Sequence, residues 1–313
     1  MVLPRSALAV VMLLAVAMVT GCAPSNLTQR VPLEGGRPHV YWADPTLDWS
    51  LNGADPLALT ATIGGANLDG SGMSASAVIG LDDPCGLAVD ATFLYWANRD
   101  GNTIGRARLD GSEVNNSFIT LANAPCGVAV DGAHIYWANH GSGTRGTTIG
   151  RANLDGTGAD QAFIGGALNP CGVAVDGGYV YWANEGSGGS GGTIGRATLD
   201  GGSVNQQFIG ADAVLPCGVA VDGGHIYWAN AGGNAIGRAR LNGSGIQKEF
   251  VTGASWPCGV AVDGAHIYWG NSNLGSASSG AAASIGRADL DGMHADQAFV
   301  ADLEGVCGVA LDP

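Results

Sequence analysis

The stretch at residues 125–139, "PCGVAVDGAHIYWAN", decides how the rest of the chain is interpreted, because it recurs along the sequence. A truncated copy, "CGVALDP", ends the chain. Six Tyr-Trp pairs and six "IG" phrases alternate with a period in the forties, which indicates a repeat architecture. The other full copies of the phrase begin at Pro84, Pro170, Pro216 and Pro257.

Each repeat is predicted to contain four short strands. An Asp-Gly turn joins "CGVAVD" to "HIYWAN", and a second one joins "TIGRANL" to "ADQAFI". At one of these second turns Asn242-Gly243 replaces Asp-Gly, which tight hairpin turns accept because both central residues need positive φ. With no helical period in residues 39–313, the pattern predicts an all-β fold, a six-bladed β-propeller of four-stranded antiparallel blades.

The two ends of the repeat region complement each other. The region begins at a second strand, "HVYWAD" at residues 39–44, and ends just after a first strand, at Asp312-Pro313. An open solenoid is the alternative, but it would need distinct capping repeats. We therefore expect the last strand to complete the first blade and to close the ring, which removes exposed strand edges.

The phrases "GVAVDGAHIYWAN" and "IGRANLDGTG" resemble the YWTD repeats of the low-density-lipoprotein receptor class, and the resemblance covers residues 39–313. It implies a six-bladed propeller, and characterised members of the class are mainly protein-binding. The Thr-Asp that follows Tyr-Trp in that class is here Ala-Asn in four blades, Ala43-Asp44 in one and Gly270-Asn271 in another. The acidic contact of the class is therefore neutral in five blades.

The first residues, "MVLPRSALAVVMLLAVAMVTGC", have the layout of a secretory signal, and their apolar run is too short for a transmembrane helix. Val19-Thr20-Gly21-Cys22 resembles the bacterial lipobox, which implies removal of residues 1–21 and lipidation of Cys22. An ordinary signal peptide with a nearby cysteine is the alternative. We expect residues 22–38 to form a linker, and the protein to be extracytoplasmic and lipid-anchored to a bacterial membrane.

The composition limits the class of partner. The 313 residues carry a formal net charge of −14, which argues against nucleic acid and against electrostatic docking on anionic lipid. The sequence predicts no cofactor and no metal. We expect a monomer that binds a protein or glycan and that contacts the membrane only through its lipid.

The binding face is predicted from loop lengths. The interval from each Tyr-Trp tryptophan to the next "IG" isoleucine varies from 8 to 21 residues, so the loop between the second and third strands is the variable one. Variable loops on a rigid scaffold commonly carry binding residues. Trp256, just before a Pro-Cys, should stand at the mouth of the channel, as a hot spot or as a plug. The candidate binding residues are Asp48, Trp49, His140, Arg145, Glu185 and Trp256.

Residues that occupy a shared repeat position are assigned structural roles. These are the histidines of the second strand, the arginines after "IG", which should bind acidic or carbonyl groups between blades, and the "AVD" aspartates. At the histidine position Phe93 and Tyr179 stand in two of the blades. For the aspartates turn-capping is favoured over an acidic ring that would hold a hard cation. The three sets are His39, His134, His225 and His266; Arg106, Arg151, Arg196, Arg238 and Arg287; and Asp90, Asp131, Asp176, Asp222, Asp263 and Asp312.

The six repeat cysteines should lie near the channel on the variable face. An even number in an exported protein suggests disulfides, but equivalent residues of successive blades should point head to tail, without convergent Cβ atoms. We therefore expect reduced, buried thiols, with disulfides or a ring of soft metal ligands as alternatives. The cysteines are Cys85, Cys126, Cys171, Cys217, Cys258 and Cys307.

Two functions are compatible with these sequence features. The favoured one is a non-catalytic binding module, and no catalytic residue is assigned. The alternative is a propeller enzyme, lactonase- or lyase-like, with a site at the channel mouth. His140 and Glu185, on loops of adjacent blades, are the one singular pair of titratable residues that could serve it.

Overall fold

The structure is a computed structural model that describes residues 39–45, 61–141, 146–186, 192–210, 212–272 and 282–312. The described residues belong to one compact unit, residues 32–313. They form β-strands, with one 3-10 turn at Ala231–Gly233. No helix in the described part of the chain is long and apolar enough to cross a membrane.

The strands form six four-stranded antiparallel sheets, which are the blades of a six-bladed β-propeller, as predicted. The inner strand of each blade contacts the inner strand of the next, all the way round. In chain order, blade 1 contains β1 (His39–Asp44), β2 (Ala61–Asn67) and β3 (Ser74–Leu81). Blade 2 contains β4 (Pro84–Val89), β5 (Phe93–Asn98), β6 (Thr103–Arg108) and β7 (Asn115–Ile119). Blade 3 contains β8 (Pro125–Val130), β9 (His134–Asn139), β10 (Thr148–Asn153) and β11 (Asp160–Gly165).

The remaining blades have the same strand order, from the inner to the outer edge. Blade 4 contains β12 (Pro170–Val175), β13 (Tyr179–Asn184), β14 (Thr193–Thr198) and β15 (Asn205–Ile209). Blade 5 contains β16 (Pro216–Val221), β17 (His225–Asn230), β18 (Ala235–Arg240) and β19 (Gln247–Thr252). Blade 6 contains β20 (Pro257–Val262), β21 (His266–Asn271), β22 (Ala283–Asp289) and β23 (Asp296–Leu303), and β24 (Val309–Leu311) ends the chain in blade 1.

The last strand closes the ring. Val309 lies opposite Trp42 and Leu311 opposite Val40, so β24 is the inner strand of blade 1. The side chain of Asp312 accepts hydrogen bonds from the backbone N–H of His39 and from its ring Nδ1, the latter at 3.0 Å. The expected union of the two ends of the repeat region is therefore confirmed.

The Tyr-Trp pair and the "IG" phrase recur together because they pack on each other. In blade 4 the indole of Trp182 is fully buried, and a Cβ added to Gly195 would lie 2.1 Å from it. Any larger residue at that glycine would displace the indole. The other five blades have the same arrangement, with added-Cβ distances of 2.1 to 2.4 Å, at Gly64, Gly105, Gly150, Gly237 and Gly286.

The "AVD" aspartates cap the turn between the first and second strands. Asp90 Oδ1 accepts the backbone N–H groups of Thr92 and Phe93, both at 2.7 Å, and its Oδ2 accepts the hydroxyl of Tyr95 at 2.9 Å. Equivalent Tyr-to-Asp hydrogen bonds occur in blades 3 to 6. The turn-capping interpretation is confirmed.

The arginines that follow "IG" join neighbouring blades. Arg151 donates from Nη1 to the carbonyl of Leu199 in the next blade at 3.0 Å, and its guanidinium stacks over Phe163 at 3.8 Å. Arg287 makes the same bond across the closing seam, to the carbonyl of Leu68 at 3.3 Å. The prediction that these arginines bind carbonyl groups between blades is confirmed.

Candidate functional site

The site lies at the end of the propeller where second strands lead into third strands, and a buried asparagine fixes the backbone there. In blade 2 the Asn98 amide donates to Thr103 Oγ1 at 3.0 Å and to the carbonyl of Asn116 at 2.8 Å, while its Oδ1 accepts the Trp96 Nε1–H. A carboxylate has no hydrogen to donate. This geometry explains why asparagine stands where the YWTD class has aspartate.

The residue directly after this strand, named here the exit position, differs in every blade. A second variable place, named here the entry position, directly precedes the Pro-Cys or Val-Cys phrase of each inner strand. The six blades share their framework residues and differ at these two places. The exit positions are Pro45, Arg99, His140, Glu185, Ala231 and Ser272, and the entry positions are Asp83, Ala124, Asn169, Leu215, Trp256 and Gly305.

The backbone at the entry position is left-handed in five blades, and Trp256 is the largest residue there. Its φ is 49°, where bulky side chains are rare. Hydrogen bonds hold this conformation: the Trp256 N–H donates to Asn234 Oδ1 at 2.9 Å, and Ser272 Oγ donates to the Trp256 carbonyl at 2.8 Å. Because four other blades have the same backbone conformation at this position, the conformation belongs to the framework, and the tryptophan side chain is what distinguishes blade 6.

Nine of the twelve residues at the exit and entry positions line one cavity of about 360 Å³ on the propeller axis, and the exceptions are His140, Ala124 and Asn169. Such a volume is typical of ligand sites. Trp256 lines the cavity, as its predicted place at the channel mouth required. The floor consists of cysteine sulfur atoms at the starts of the inner strands. The principal lining residues are Asp83, Arg99, Glu185, Leu215, Trp256, Ser272 and Glu304 above, and Cys85, Cys171, Cys217, Cys258 and Cys307 below.

Among the described residues that line this cavity, Arg99 is the cation. Its Nη2 lies 3.8 Å from the sulfur of Cys85 and 3.6 Å from that of Cys126, and its Nε is buried without a hydrogen-bond partner among the described residues. Burial opposes its charge, but the neighbouring thiols and Asp83 outweigh burial and raise the pKa of Arg99. The guanidinium therefore stays charged and has spare hydrogen-bond donors for a ligand.

Asp83 stands next to this cation at the entry position of blade 2. Burial raises the pKa of Asp83 above its ordinary value, the positive charge of Arg99 lowers it in part, and Asp100 raises it again. The net effect is an acid that gives up its proton less readily than a surface aspartate. The cavity thus contains a permanent cation, Arg99, beside a carboxyl group that takes up a proton at a higher pH than a surface aspartate does.

The structure brings His140 and Glu185 together across two blades. His140 Nε2 lies 3.2 Å from Glu185 Oε2, and the two side chains are 24% and 32% exposed. Glu185 lines the cavity, and His140 contacts this glutamate from the rim. The two residues that the sequence singled out on neighbouring loops therefore form one hydrogen-bonded pair, an arrangement suited to proton transfer.

The six cysteine sulfurs form a ring at the bottom of the cavity. Five neighbouring pairs have sulfur–sulfur distances between 2.8 and 3.2 Å. The sixth pair, Cys85 and Cys126, is a disulfide whose Cα atoms are 5.2 Å apart. The prediction that all repeat cysteines are reduced thiols without convergent geometry is therefore wrong for this pair.

The glycine after each cysteine explains the convergence. A Cβ on Gly86 would lie 2.3 Å from the carbonyl oxygen of Cys126 and 2.6 Å from the Cα of Gly127. Neighbouring inner strands thus approach backbone to backbone at the axis, and the cysteine side chains that precede the glycines are brought together. A head-to-tail arrangement of equivalent side chains does not keep the sulfurs apart when the strands lie this close.

Cys171, Glu185 and Cys217 offer ligand atoms that all lie within 4.8 Å of one another. The sulfurs of Cys171 and Cys217 are 2.8 Å apart, whereas two thiolates on one tetrahedral zinc ion lie ~3.8 Å apart for Zn–S bonds near 2.3 Å. This spacing suits contact between sulfurs better than shared ligation of an ion.

The thiols differ in acidity. Hydrogen bonds from Cys217 and Cys307 lower the pKa of Cys258 well below its ordinary value, against the effect of burial. Hydrogen bonds, first with Cys171 and then with Cys258, raise the pKa of Cys217, and the hydrogen bond to Cys258 raises the pKa of Cys307. A Cys258 thiolate flanked by two S–H donors accounts for the directions at Cys258 and Cys307 and contributes to that at Cys217.

Four of the residues predicted to be functional, Cys22, Asp48, Trp49 and Arg145, lie outside the described residues. In turn, three residues that line the cavity, Arg99, Asp83 and Glu304, were not predicted from the sequence. The exit position could have revealed Arg99, since it is the residue after Tyr-Trp-Ala-Asn in blade 2, as His140 and Glu185 are in blades 3 and 4.

Comparison with known proteins supports the fold. No protein-family model matches the chain, and no curated protein matches it either. Among solved structures, a chain from a nidogen–laminin complex superimposes with a TM-score of 0.66 at 22% identity, covering 88% of this chain and 98% of that one. A gluconolactonase from Xanthomonas campestris gives a TM-score of 0.55 at 18% identity, with 71% and 77% covered. The propeller fold is thus shared with a protein seen in a complex and with an enzyme.

Proposed function

We propose that this protein is a binding module that holds a protein or glycan partner at the face around its axial cavity. The observation that carries the proposal is the lining of that cavity by the exit and entry positions, where otherwise similar blades differ. Residues needed only for folding would follow the repeat. Divergence concentrated at one end of a symmetric scaffold is expected where that end binds a ligand.

The side chains indicate the chemistry of the partner. Arg99 has an unpaired, buried Nε–H beside the cavity and therefore suits a carboxylate. Trp256, half-buried on the wall, offers an aromatic face to a sugar ring or an apolar side chain. An acidic sugar or an acidic side chain of a protein, presented next to an apolar surface, satisfies both.

The test uses an array of acidic and neutral glycans together with short peptides that carry carboxylates. Trp256→Ala should weaken binding of the wild-type hits by at least ~2 kcal/mol, the usual threshold of a hot spot. Arg99→Gln should abolish the preference for acidic over neutral probes. The matched control is Asn242→Asp, in a turn at the opposite end of the propeller, where other blades have Asp.

The proposal fails if Trp256→Ala and Arg99→Gln fold normally and bind every hit as the wild type does. If Trp256→Ala unfolds while Arg99→Gln leaves binding unchanged, Trp256 is a plug, and the cavity is not the site. The loop around Asp48 and Trp49 would then be the place to search.

Placement at a membrane is the second part of the proposal. Lipidation at Cys22 would tether the propeller to a membrane outside the cytoplasm. The tethered protein would be a monomer that binds its partner at the face around the axial cavity. Cys22→Ala should move the protein from the membrane fraction to the soluble extracytoplasmic fraction. Retention of the variant in membranes after a salt wash would contradict the lipid anchor.

The His140–Glu185 pair favours a second candidate, a hydrolase or lyase with its site at the same cavity. In that reaction Glu185 would orient the imidazole and His140 would transfer a proton. Sugar lactones are the first substrates to assay, because a gluconolactonase shares the propeller fold. His140→Gln should then abolish turnover with the fold intact; no lactone opening above the buffer rate by the wild type would exclude lactones as substrates.

A further inference from the structure

The sulfur ring is not uniform, although its six cysteines occupy one repeat position. Cys85, Cys126 and Cys171 are at most 3% exposed. Cys217, Cys258 and Cys307 are partly exposed and line the axial cavity. The ring therefore has a buried half under blades 2 to 4 and an accessible half under blades 5, 6 and 1.

The disulfide between Cys85 and Cys126 restricts how the other cysteines can pair. The four that remain are consecutive around the ring. A bond between the middle two, Cys217 and Cys258, would leave Cys171 and Cys307 without a neighbour to bond, because the next cysteine on each outer side is already in the disulfide. Complete oxidation thus requires the pairs Cys171–Cys217 and Cys258–Cys307, whose sulfurs are 2.8 and 3.2 Å apart.

The Cys258–Cys307 pair has the features of a reactive dithiol. Both sulfurs face the cavity, and the cavity is large enough to admit a small molecule. The two neighbouring S–H groups lower the pKa of Cys258, and the positive charge of Arg99 acts in the same direction. Reactive cysteines are partly exposed thiols of low pKa in electropositive surroundings. Cys85 also borders the cavity, but the Cys85–Cys126 disulfide should react later because both of its cysteines are at most 3% exposed.

We propose that Cys258 and Cys307 form a dithiol–disulfide couple that exchanges with small dithiols entering through the axial cavity. A thiolate of the external dithiol attacks Cys307 Sγ, the Cys258–Cys307 bond breaks, and Cys258 leaves as a thiolate. The second external thiolate attacks the mixed disulfide and expels Cys307, which takes up a proton. Two electrons pass to the protein, and the external dithiol becomes a cyclic disulfide. The reverse reaction begins with Cys307, which attacks the external disulfide as its thiolate, and it ends when the Cys258 thiolate attacks Cys307 Sγ and expels the external thiolate.

The position of the couple in the fold gives the exchange a structural consequence. Cys258 is in β20 of blade 6, and Cys307 lies just before β24, with its N–H bonded to the Ala43 carbonyl at 2.9 Å. The disulfide would therefore join blade 6 to the segment that completes blade 1. Exchange at this pair adds or removes a covalent bond across the closing seam of the propeller.

The first test is a redox titration of the purified full chain with reduced and oxidised dithiothreitol. Samples are trapped in acid, alkylated and mapped by mass spectrometry. A linked Cys258–Cys307 peptide should occur under oxidising conditions and should open before the Cys85–Cys126 link as the ratio becomes more reducing. Failure to find that peptide at any ratio, or opening of Cys85–Cys126 first, would overturn the proposal.

The second test repeats the redox titration with cysteine-to-serine variants. Cys258→Ser should consume one fewer equivalent of dithiothreitol and lose the first step of the titration. The double variant Cys85→Ser/Cys126→Ser should keep that step, because it leaves no free Cys85 thiol 3.1 Å from Cys307. In the reduced wild type, Cys258 should be alkylated about tenfold faster than Cys171 near neutral pH, since an ordinary thiol is only a few per cent thiolate there. Equal rates would contradict Cys258 as the attacking thiol. The wild-type peptide map decides the pairing even if a variant does not fold.

Discussion

The two ends of the propeller are built from the same strands, yet they differ in what the repeats preserve. At the turn end, blades 2 to 6 repeat one set of contacts, in which a tyrosine hydroxyl donates to the aspartate of its turn at 2.9 to 3.2 Å. At the cavity end the backbone is equally regular, but the exit and entry positions carry different side chains in each blade. The contacts that recur at the turn end stabilise the ring, and the side chains that differ between blades at the cavity end form the candidate site.

The contrast teaches how to separate framework residues from functional ones in a repeat protein. Trp182 and Trp256 are both tryptophans that contact other residues of the propeller. Trp182 recurs in every blade and is fully buried, whereas Trp256 occurs once and stands half-buried beside a cavity. Substitutions at the two ends should therefore affect different measurements.

The largest effect should come from alkaline pH, which acts on the turn end of every blade. Burial first, and then the aspartate charge and hydrogen bond, raise the pKa of Tyr136 and of Tyr268 from 10.0 to about 12. A phenol with a higher pKa in the folded state holds its proton more tightly there, so its stabilisation is complete below pH 10 and is lost as the pH approaches 12. We expect cooperative unfolding in this window, followed by circular dichroism and tyrosinate absorbance.

Tyr136→Phe is the control for that experiment, because it removes one of the titrating phenols and keeps the ring. The variant should lose stability less steeply between pH 10 and 12 than the wild type does. A propeller that stays folded at pH 12 with its tyrosines ionised would show that these contacts do not stabilise the framework.

Deletion of residues 306–313 should have the next largest effect. It removes the inner strand of blade 1 and the burial of Val306, Val309 and Ala310. At roughly 2 kcal/mol for each buried valine, with further loss from the exposed edge of β1, we expect the free energy of unfolding to fall by about 5 kcal/mol. An unchanged urea midpoint would contradict closure of the ring by β24.

Alanine substitutions of Trp182 and Trp256 directly test the difference between a framework residue and a cavity residue. Trp182→Ala should lower the free energy of unfolding by about 4 kcal/mol, because it empties a fully buried site against Gly195. Trp256→Ala should lower it by less than about 1 kcal/mol, since the entry position already accepts Ala124 in another blade. Urea denaturation of both variants measures the difference, and equal losses would show that Trp256 belongs to the framework.

The smallest effects should come from one asparagine substitution made at each end. Asn184 is fully buried and donates to Thr193 Oγ1 at 3.1 Å and to the Gln206 carbonyl at 3.2 Å, which an aspartate cannot do. Asn184→Asp should therefore cost about 2–3 kcal/mol. Asn242→Asp, in an exposed turn, should change stability by no more than ~0.5 kcal/mol. If the two variants have the same thermal midpoint, the buried amide does not fix the cavity end.

The sequence predicted the fold well because the same pattern recurs in every blade. The glycine of "IG", the Asp-Gly turns and the Tyr-Trp pair each predict a local geometry, and their period predicts the ring. The site was predicted less well. Trp256 and the His140–Glu185 pair were found as exceptions to the repeat. Arg99 follows "YWAN" in the same way but was missed, because its role depends on its place over the cysteine sulfurs, which only the tertiary structure shows.

The sequence by itself determined the number of blades, the strands of each blade and the closure by the last strand, because these depend on spacing and on contacts within a repeat or between its neighbours. Whether the cysteine sulfurs come into contact with one another depended on the tertiary structure. Their sulfurs meet because Gly86 and its equivalents allow the inner strands to touch at the axis, a distance that no local pattern encodes. The same close approach places Arg99, from the exit of β5, over the sulfurs of Cys85 and Cys126, which open two different blades.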